Sequence, residues 1–286
     1  MARRIKLTLE YDGSAFKGWQ VQSGTPAGED TAASARTVQG EVERALRAVT
    51  GLPIRIAGAS RTDAGAHALG QVASFLLPDE AQIPTAHLCL ALNSKLSRDV
   101  AARHAQEAPL DFHAQRDAVG KVYSYSMISG PCRPALWRAT HWHVRFGLRI
   151  EPMRRAAAAL IGIHDFTSFA SKLSLTQADR ASDGKSALET VREIRHLELH
   201  EDPDYPGRIV MRIEGSGFLY QMVRTIAGSL VDVGRGFRGP EWMAQALAAR
   251  DRRKAGPTAP AHGLCLEKVI YVDRRGTAHS NGKQSP

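Results

Sequence analysis

The chain has 286 residues, 43% of them hydrophobic and 23% charged, which is enough for one large or two modest domains with proper cores and excludes a mainly disordered protein. A net charge of +9 points to a polyanionic partner such as a nucleic acid, the plainer alternative being a basic surface kept for solubility. Three cysteines without CxxC spacing argue against a disulfide framework or a zinc site, and no apolar run approaches the roughly 20 residues of a membrane span, so a cytoplasmic location is expected.

Residues 5–11 alternate, with Ile5, Leu7, Leu9 and Tyr11 on one face, and read as an opening strand. Asp12-Gly13-Ser14 makes a turn, and the small, polar stretch 22–35 has the composition of a mobile loop. Thr37 can cap a helix that puts Val38, Val42, Ala45, Leu46 and Val49 on one side and stops at Gly51. Residues 58–72 form a polar loop rich in Gly and Ala, held between two apolar runs, 54–57 and 72–77, that read as strands. A helix over 85–92 and a strand over 100–104 complete the first half.

The second half opens with a linker-like stretch, 111–120, and a strand over 121–127 with Lys121, Tyr123, Tyr125 and Met127 on one face. Pro152 and Gly162 bracket a helix over 153–161, and 171–185 reads as a second mobile loop. Strands follow over 191–200 and 209–214. Residues 218–233 give the strongest helical pattern, an apolar stripe of Leu219, Met222, Val223, Ile226, Leu230 and Val233 interrupted by Arg224. A helix over 240–249, the basic run Arg250-Asp-Arg-Arg-Lys254 and a strand over 264–272 close the pattern.

Both halves thus run strand, helix, strand, strand, helix, strand. This predicts an α+β fold of two similar β-α-β-β-α-β, ferredoxin-like halves, residues 1–112 and 113–273, whose mixed, largely antiparallel sheets meet to form a basic active-site cleft. The polar tail, 274–286, is expected to be disordered.

Asp63 is the one carboxylate of the 58–72 loop, flanked by Arg61, Thr62 and Gly65. Read alone, the stretch has an ordinary reading, a surface turn whose Thr62 and Asp63 bond their own backbone, and a chemical one, an ionised Asp beside a fixed cation. No second carboxylate stands near for the usual glycosidase route, and no carboxylate cluster for two-metal chemistry. A lone Asp suits attack at carbon without a metal. Tyr123 and Tyr125 either face a core or offer a ring for a base to stack on. Arg224 on an apolar stripe either points outward or needs an anionic partner, and Asp63 is a candidate for it. His67 and His113 are structural residues or contacts to phosphate or base.

Arg61-Thr-Asp-Ala-Gly65, with His67 and Gly70-Gln71-Val72, resembles the active-site motif of the TruA family of tRNA pseudouridine synthases. Tyr11-Asp-Gly13, Phe16-Lys-Gly-Trp-Gln20, Val38-Gln39, Asp111-Phe-His-Ala114, Lys121-Val-Tyr-Ser-Tyr125, His164-Asp-Phe-Thr-Ser-Phe169 and Phe218-Leu219 with Met222-Val-Arg224 and Gly228-Ser-Leu230 resemble the family's other blocks in its order, from about Lys6 to about Tyr271. The resemblance implies an isomerase acting on uridines 38 to 40 of the tRNA anticodon stem-loop, as a homodimer, without cofactor or metal. Asp63 would be the nucleophile, Tyr123 would stack on the flipped uracil, Arg61 would support flipping and Arg224 would pair with Asp63. His67, His113 and Lys121 would contact RNA. Two departures stand out: Ser60 replaces the family's usual Gly before its Arg, and Gln115 replaces its usual Arg after Phe-His-Ala. The rivals are an RNA-binding module without chemistry and a nucleoside glycosidase.

Overall fold

The computed structural model describes residues 2–21, 36–171, 190–272 and 278–280. The first expected mobile loop, 22–35, and all but Ser171 of the second, 171–185, lie outside the described residues. The chain divides into two compact units, Met1–Val119 with Cys265–Pro286, and Gly120–Leu264.

The first unit contains β1 (Arg3–Tyr11), α1 (Val38–Thr50), β2 (Ala57–Gly58), β3 (His67–Leu77), α2 (Thr85–Asn93) and β4 (Val100–Ala108). The alternation of β1 buries Ile5, Leu7 and Leu9 completely and Tyr11 nearly so. Its register runs from Arg3↔Leu77 to Tyr11↔Ala68 with β3 and from Arg4↔Ala108 to Tyr11↔Val100 with β4, both antiparallel. β2 adds to the other edge of β3, pairing Ala57 with Ser74 and Gly58 with Ala73. Helix α1 begins and ends as its sequence dictates: the Thr37 side chain accepts the Gly40 N–H, and Gly51 adopts the left-handed conformation at φ 74°. The first strand of the hairpin is shorter than the apolar pattern suggests, and the second begins at His67 rather than 72, because the ladder to β1 carries it through Gly70 and Gln71.

The second unit is built on β5 (Ala118–Ser129), β6 (Trp142–Val144), α3 (Ile150–Ala158), β7 (Gly162–Asp165), β8 (Val191–Glu201), β9 (Arg208–Gly215), α4 (Met222–Gly234) and α5 (Trp242–Ala248). β9 lies antiparallel between β5 and β8, β7 extends the β8 edge, and β6 pairs in parallel with β5. Pro152 falls at the third position of α3, still among the first-turn residues whose N–H groups have no helical partner. Helix α4 starts at Met222 rather than 218 because Gln221 takes φ 63° and interrupts the helical path.

Strand β10 (Leu264–Val272) pairs in parallel with the start of β3 through Cys265↔His67 and Leu266↔Ala68 and so belongs to the first unit. The units therefore divide at 119 and 264, where the sequence reading divides the chain once, at 112. Within the tail, β11 (Ala278–Ser280) runs antiparallel to Ile270–Val272, so this part of the stretch expected to be disordered forms a strand. The fold is mixed α+β with mostly antiparallel pairing. Among the described residues, no helix is long and apolar enough to cross a membrane.

Candidate functional site

Asp63 is half-buried in the β2–β3 connection, and Arg61 beside it is exposed. Gly65 turns the chain at φ 82°, and the Ala66 N–H donates to the Asp63 carbonyl at 3.1 Å. The segment after β1 holds this loop from one side. The Trp19 N–H donates to the Thr62 carbonyl at 3.1 Å and the Gly65 N–H to that of Phe16 at 3.3 Å. Two glycines permit the approach: a Cβ on Gly13 would collide with the Ala66 carbonyl, and one on Gly18 would lie 2.8 Å from the Thr62 carbonyl oxygen. The Tyr11–Gly13 and Phe16–Gln20 blocks thus form the mould in which the Asp63 loop is cast.

Gln71 of β3, fully buried, holds the loop from the other side. Its Oε1 accepts the N–H groups of Ser60 and Val72, each at 3.2 Å, and its Nε2 donates to the Ser60 carbonyl at 2.7 Å. Tyr11 Oη and Thr62 Oγ1 share a buried hydrogen bond of 2.8 Å. Ser60 is not among the non-glycine residues with positive φ, so no left-handed backbone demands Gly there. The motif resemblance includes Gln71 but gives it no role; its hydrogen bonds to Ser60 identify it as a support of the loop.

His67 is buried, with 7% exposure, and its Nδ1 accepts the Gly13 N–H at 3.1 Å. It is placed to support the loop from beneath. The ring of His113 turns into its own loop, where Nδ1 accepts the N–H groups of Gln115 and Arg116. That loop is tied to β3 by the Ala114 N–H donating to Ser74 Oγ, seven residues along from His67. At about 3.3 Å per residue this puts it roughly 20 Å from the start of the strand. Arg61, Asp63 and His67 are therefore brought together, and His113 is not brought to them.

In the second unit Tyr123 on β5 is buried and meets Phe218 edge-on, ring centroids 5.3 Å apart at 89°. Gly215 makes room, since a Cβ there would lie 3.2 Å from the Phe218 ring. Lys121, paired with Gly215, is half-buried; burial, aided by the charge of Arg192, lowers its pKa to about 8. Arg224 lies in the first turn of α4, half-buried, with its Nε donating to the Ala259 carbonyl at 2.7 Å. The next carbonyl, Pro260, accepts the Tyr125 hydroxyl at 2.8 Å, and burial pushes that hydroxyl's pKa well above its ordinary value. The 256–263 segment therefore fixes both Arg224 and Tyr125. Among the described residues no group of three or more His, Cys, Asp or Glu is placed to hold a metal ion.

A family model described as tRNA pseudouridine synthase matches residues 8–117 and 156–272. The tRNA pseudouridine synthase A of Myxococcus xanthus is 42% identical over 270 residues, covering 94% of this chain and 92% of that protein. Its counterpart in Moorella thermoacetica is 42% identical over 267 residues, 93% of this chain and 99% of that protein. The one in Acetivibrio thermocellus is 39% identical over 269 residues, 94% and 100% of the two chains.

Proposed function

The chain belongs to the tRNA pseudouridine synthase family, and from that premise we propose that it isomerises uridine to pseudouridine at positions 38 to 40 of the tRNA anticodon stem-loop, with Asp63 as the catalytic carboxylate. The observation that carries the reading is the casting of the Asp63 loop. Backbone hydrogen bonds from Trp19 and Gly65 and the buried amide of Gln71 hold it on both sides, the rigid presentation a reacting group needs.

In this reading the N1–C1′ bond of the target uridine breaks, the uracil turns, and a C5–C1′ bond replaces it. The C5 proton leaves to solvent and N1 gains a proton, so atoms and electrons balance within the substrate and water, and the reaction is redox-neutral. Asp63 acts at C1′, at C6 or on the C2′ proton. Arg61, exposed beside it, supports the flipped nucleotide. Tyr123 offers its ring to the uracil, and Arg224 supplies the counter-charge to Asp63. Flipping costs a few kcal/mol of unstacking, less in a loop than in a duplex, which favours a stem-loop target. Lys121 contacts RNA, whereas the placements of His67 and His113 favour support of the backbone. Two ferredoxin-like halves, a basic cleft, a homodimer and cofactor-free turnover belong to the same proposal. The β4-β1-β3-β2 order of the first unit, antiparallel throughout, supports the ferredoxin-like part.

The test uses anticodon stem-loop RNA carrying tritium at uracil C5. The parent chain is expected to release tritium and Asp63→Asn to release none above background. Absence of release from the parent would refute the activity, and equal release from both would remove Asp63 from its role.

A further inference from the structure

The basic run Arg250–Lys254 has no part in the chemistry above. In the second unit it borders a cavity of about 580 Å³, which Arg238, Trp242, Arg253 and Lys254 line together with Asp232. A second cavity, of about 290 Å³, shares Asp232 and Pro257 with the first and is lined by Trp142, Val144 and Phe146. Beside them guanidinium groups stack over rings. Arg235 lies 4.7 Å from the Phe237 ring centroid, and Arg238 lies 4.9 Å from that of Phe237 and 5.2 Å from that of Trp242. The turn that presents this stack is fixed. Gly236 takes φ 77°, and the N–H groups of Phe237 and Arg238 donate to the Asp232 carbonyl at 3.0 and 3.2 Å.

The charge balance leaves cations to spare. Among the described residues Asp232 is the one carboxylate lining the larger cavity, and it pairs with Arg235 at 2.9 Å. Arg253 is held by Asp251, while Arg238 and Lys254 are exposed. The negative C-terminal end of α4 accounts for Arg235 and Arg238 at its exit but not for Arg253 and Lys254, which come from another segment. Nor does it account for Phe237, a large ring 60% exposed with two guanidinium groups beside it. A ligand with a phosphate and a flat ring satisfies every part: cations for the phosphate, interleaved rings for stacking, and an apolar recess alongside. The larger cavity lies within the range of ligand pockets, about 300–1,000 Å³.

We propose that this face is a second RNA-binding site, which seats a backbone phosphate among Arg238, Arg253 and Lys254 and stacks the adjoining base on Phe237. It is a contact separate from Arg224. Asp232 lies eight residues further along α4, about 12 Å along the axis at 1.5 Å per residue. The inference rests on the reading of tRNA as substrate.

The experiment measures tRNA binding by fluorescence anisotropy across a salt series, with tritium release as a parallel readout. Arg238→Ala/Lys254→Ala is expected to weaken binding about tenfold and to flatten the log Kd against log salt slope by about 1 or more, since each lost phosphate contact removes roughly 0.7–0.9 from it. KM rises with kcat unchanged. Phe237→Ala weakens binding several-fold with the slope intact, because stacking releases no counterions, and Phe237→Tyr restores it. Arg238→Lys/Lys254→Arg keeps the parent slope, which separates charge from folding. Unchanged Kd and slope in the double Ala variant overturn the site. So does displacement of its contribution by millimolar adenosine monophosphate, which would mark a site for free nucleotides, or a shift in sedimentation that shows the face joins two copies of the chain. A parent that releases no tritium but binds tRNA with the expected salt slope loses the proposed activity and keeps this site.

Discussion

Lys121 shows what a single residue can cost and why it is kept. Burial beside Arg192 lowers its pKa to about 8, whereas the unfolded chain holds that proton to about 10.5. Between those values the unfolded state binds more protons, so stability rises with pH across that window and is lowest below about 8, where the folded protein carries a buried ammonium. The penalty there is on the order of 3 kcal/mol. Lys121→Met is therefore expected to raise the urea midpoint at pH 7, with the gain fading toward pH 10.5. A gain of equal size at pH 7 and pH 10.5 would show that the amine is not its source. A cation held at such a cost suits the RNA contact assigned to it, because an adjacent phosphate would offset the burial. Sequence alternation located Lys121 on its strand face, but not its cost, which depends on Arg192 across the sheet.

At the scale of elements, apolar period and capping chemistry made α1, β1, β8, β9 and β10 legible, since each rests on a local pattern. The polar residues that join elements were not legible, because their partners lie far away in sequence. Gln39 and Glu43 of α1 are the clearest case. Glu43, 1% exposed, accepts from Gln39 Nε2 at 2.9 Å and from the Ile56 N–H at 3.1 Å through one oxygen, and from Arg55 at 3.0 Å through the other. Gln39 Oε1 in turn accepts the Val21 N–H and Gln20 Nε2, each at 3.0 Å. One helix face therefore clamps both the segment that leads into the Asp63 loop and the end of the segment that packs against it. Glu43→Ala would leave the Ile56 N–H and Gln39 buried without their acceptor, at a cost of about 3 kcal/mol. Urea denaturation should show that loss, together with reduced turnover as the loop loosens. A loss below about 1 kcal/mol would mean that water or a neighbour replaces the carboxylate.

For the whole molecule, the decisive feature is that β10, near the chain's C-terminal end, completes its first unit. Local pattern identified residues 264–272 as a strand, but only the ladder could assign it to β3, 198 residues earlier in the sequence at the paired positions. Tyr271 fastens it there. Its hydroxyl donates to the Ala114 carbonyl at 2.7 Å, its ring packs 5.3 Å from that of Phe112, and the Lys6 ammonium lies 4.3 Å from its centroid. Closing so long a loop costs only slowly growing entropy, but the first unit cannot form all its contacts until the end of the chain is available. A chain ending at Gly263 is accordingly expected to leave the His67–Ala68 end of one β3 edge bare, to lose cooperative unfolding and to aggregate through that edge. Tyr271→Phe, which removes one buried hydrogen bond and keeps the ring, should unfold cooperatively with stability lowered by about 1 kcal/mol. The two results together locate the effect in the strand rather than in the hydroxyl. A shortened chain that remained monomeric with the parent's unfolding midpoint would show that the first unit stands without β10.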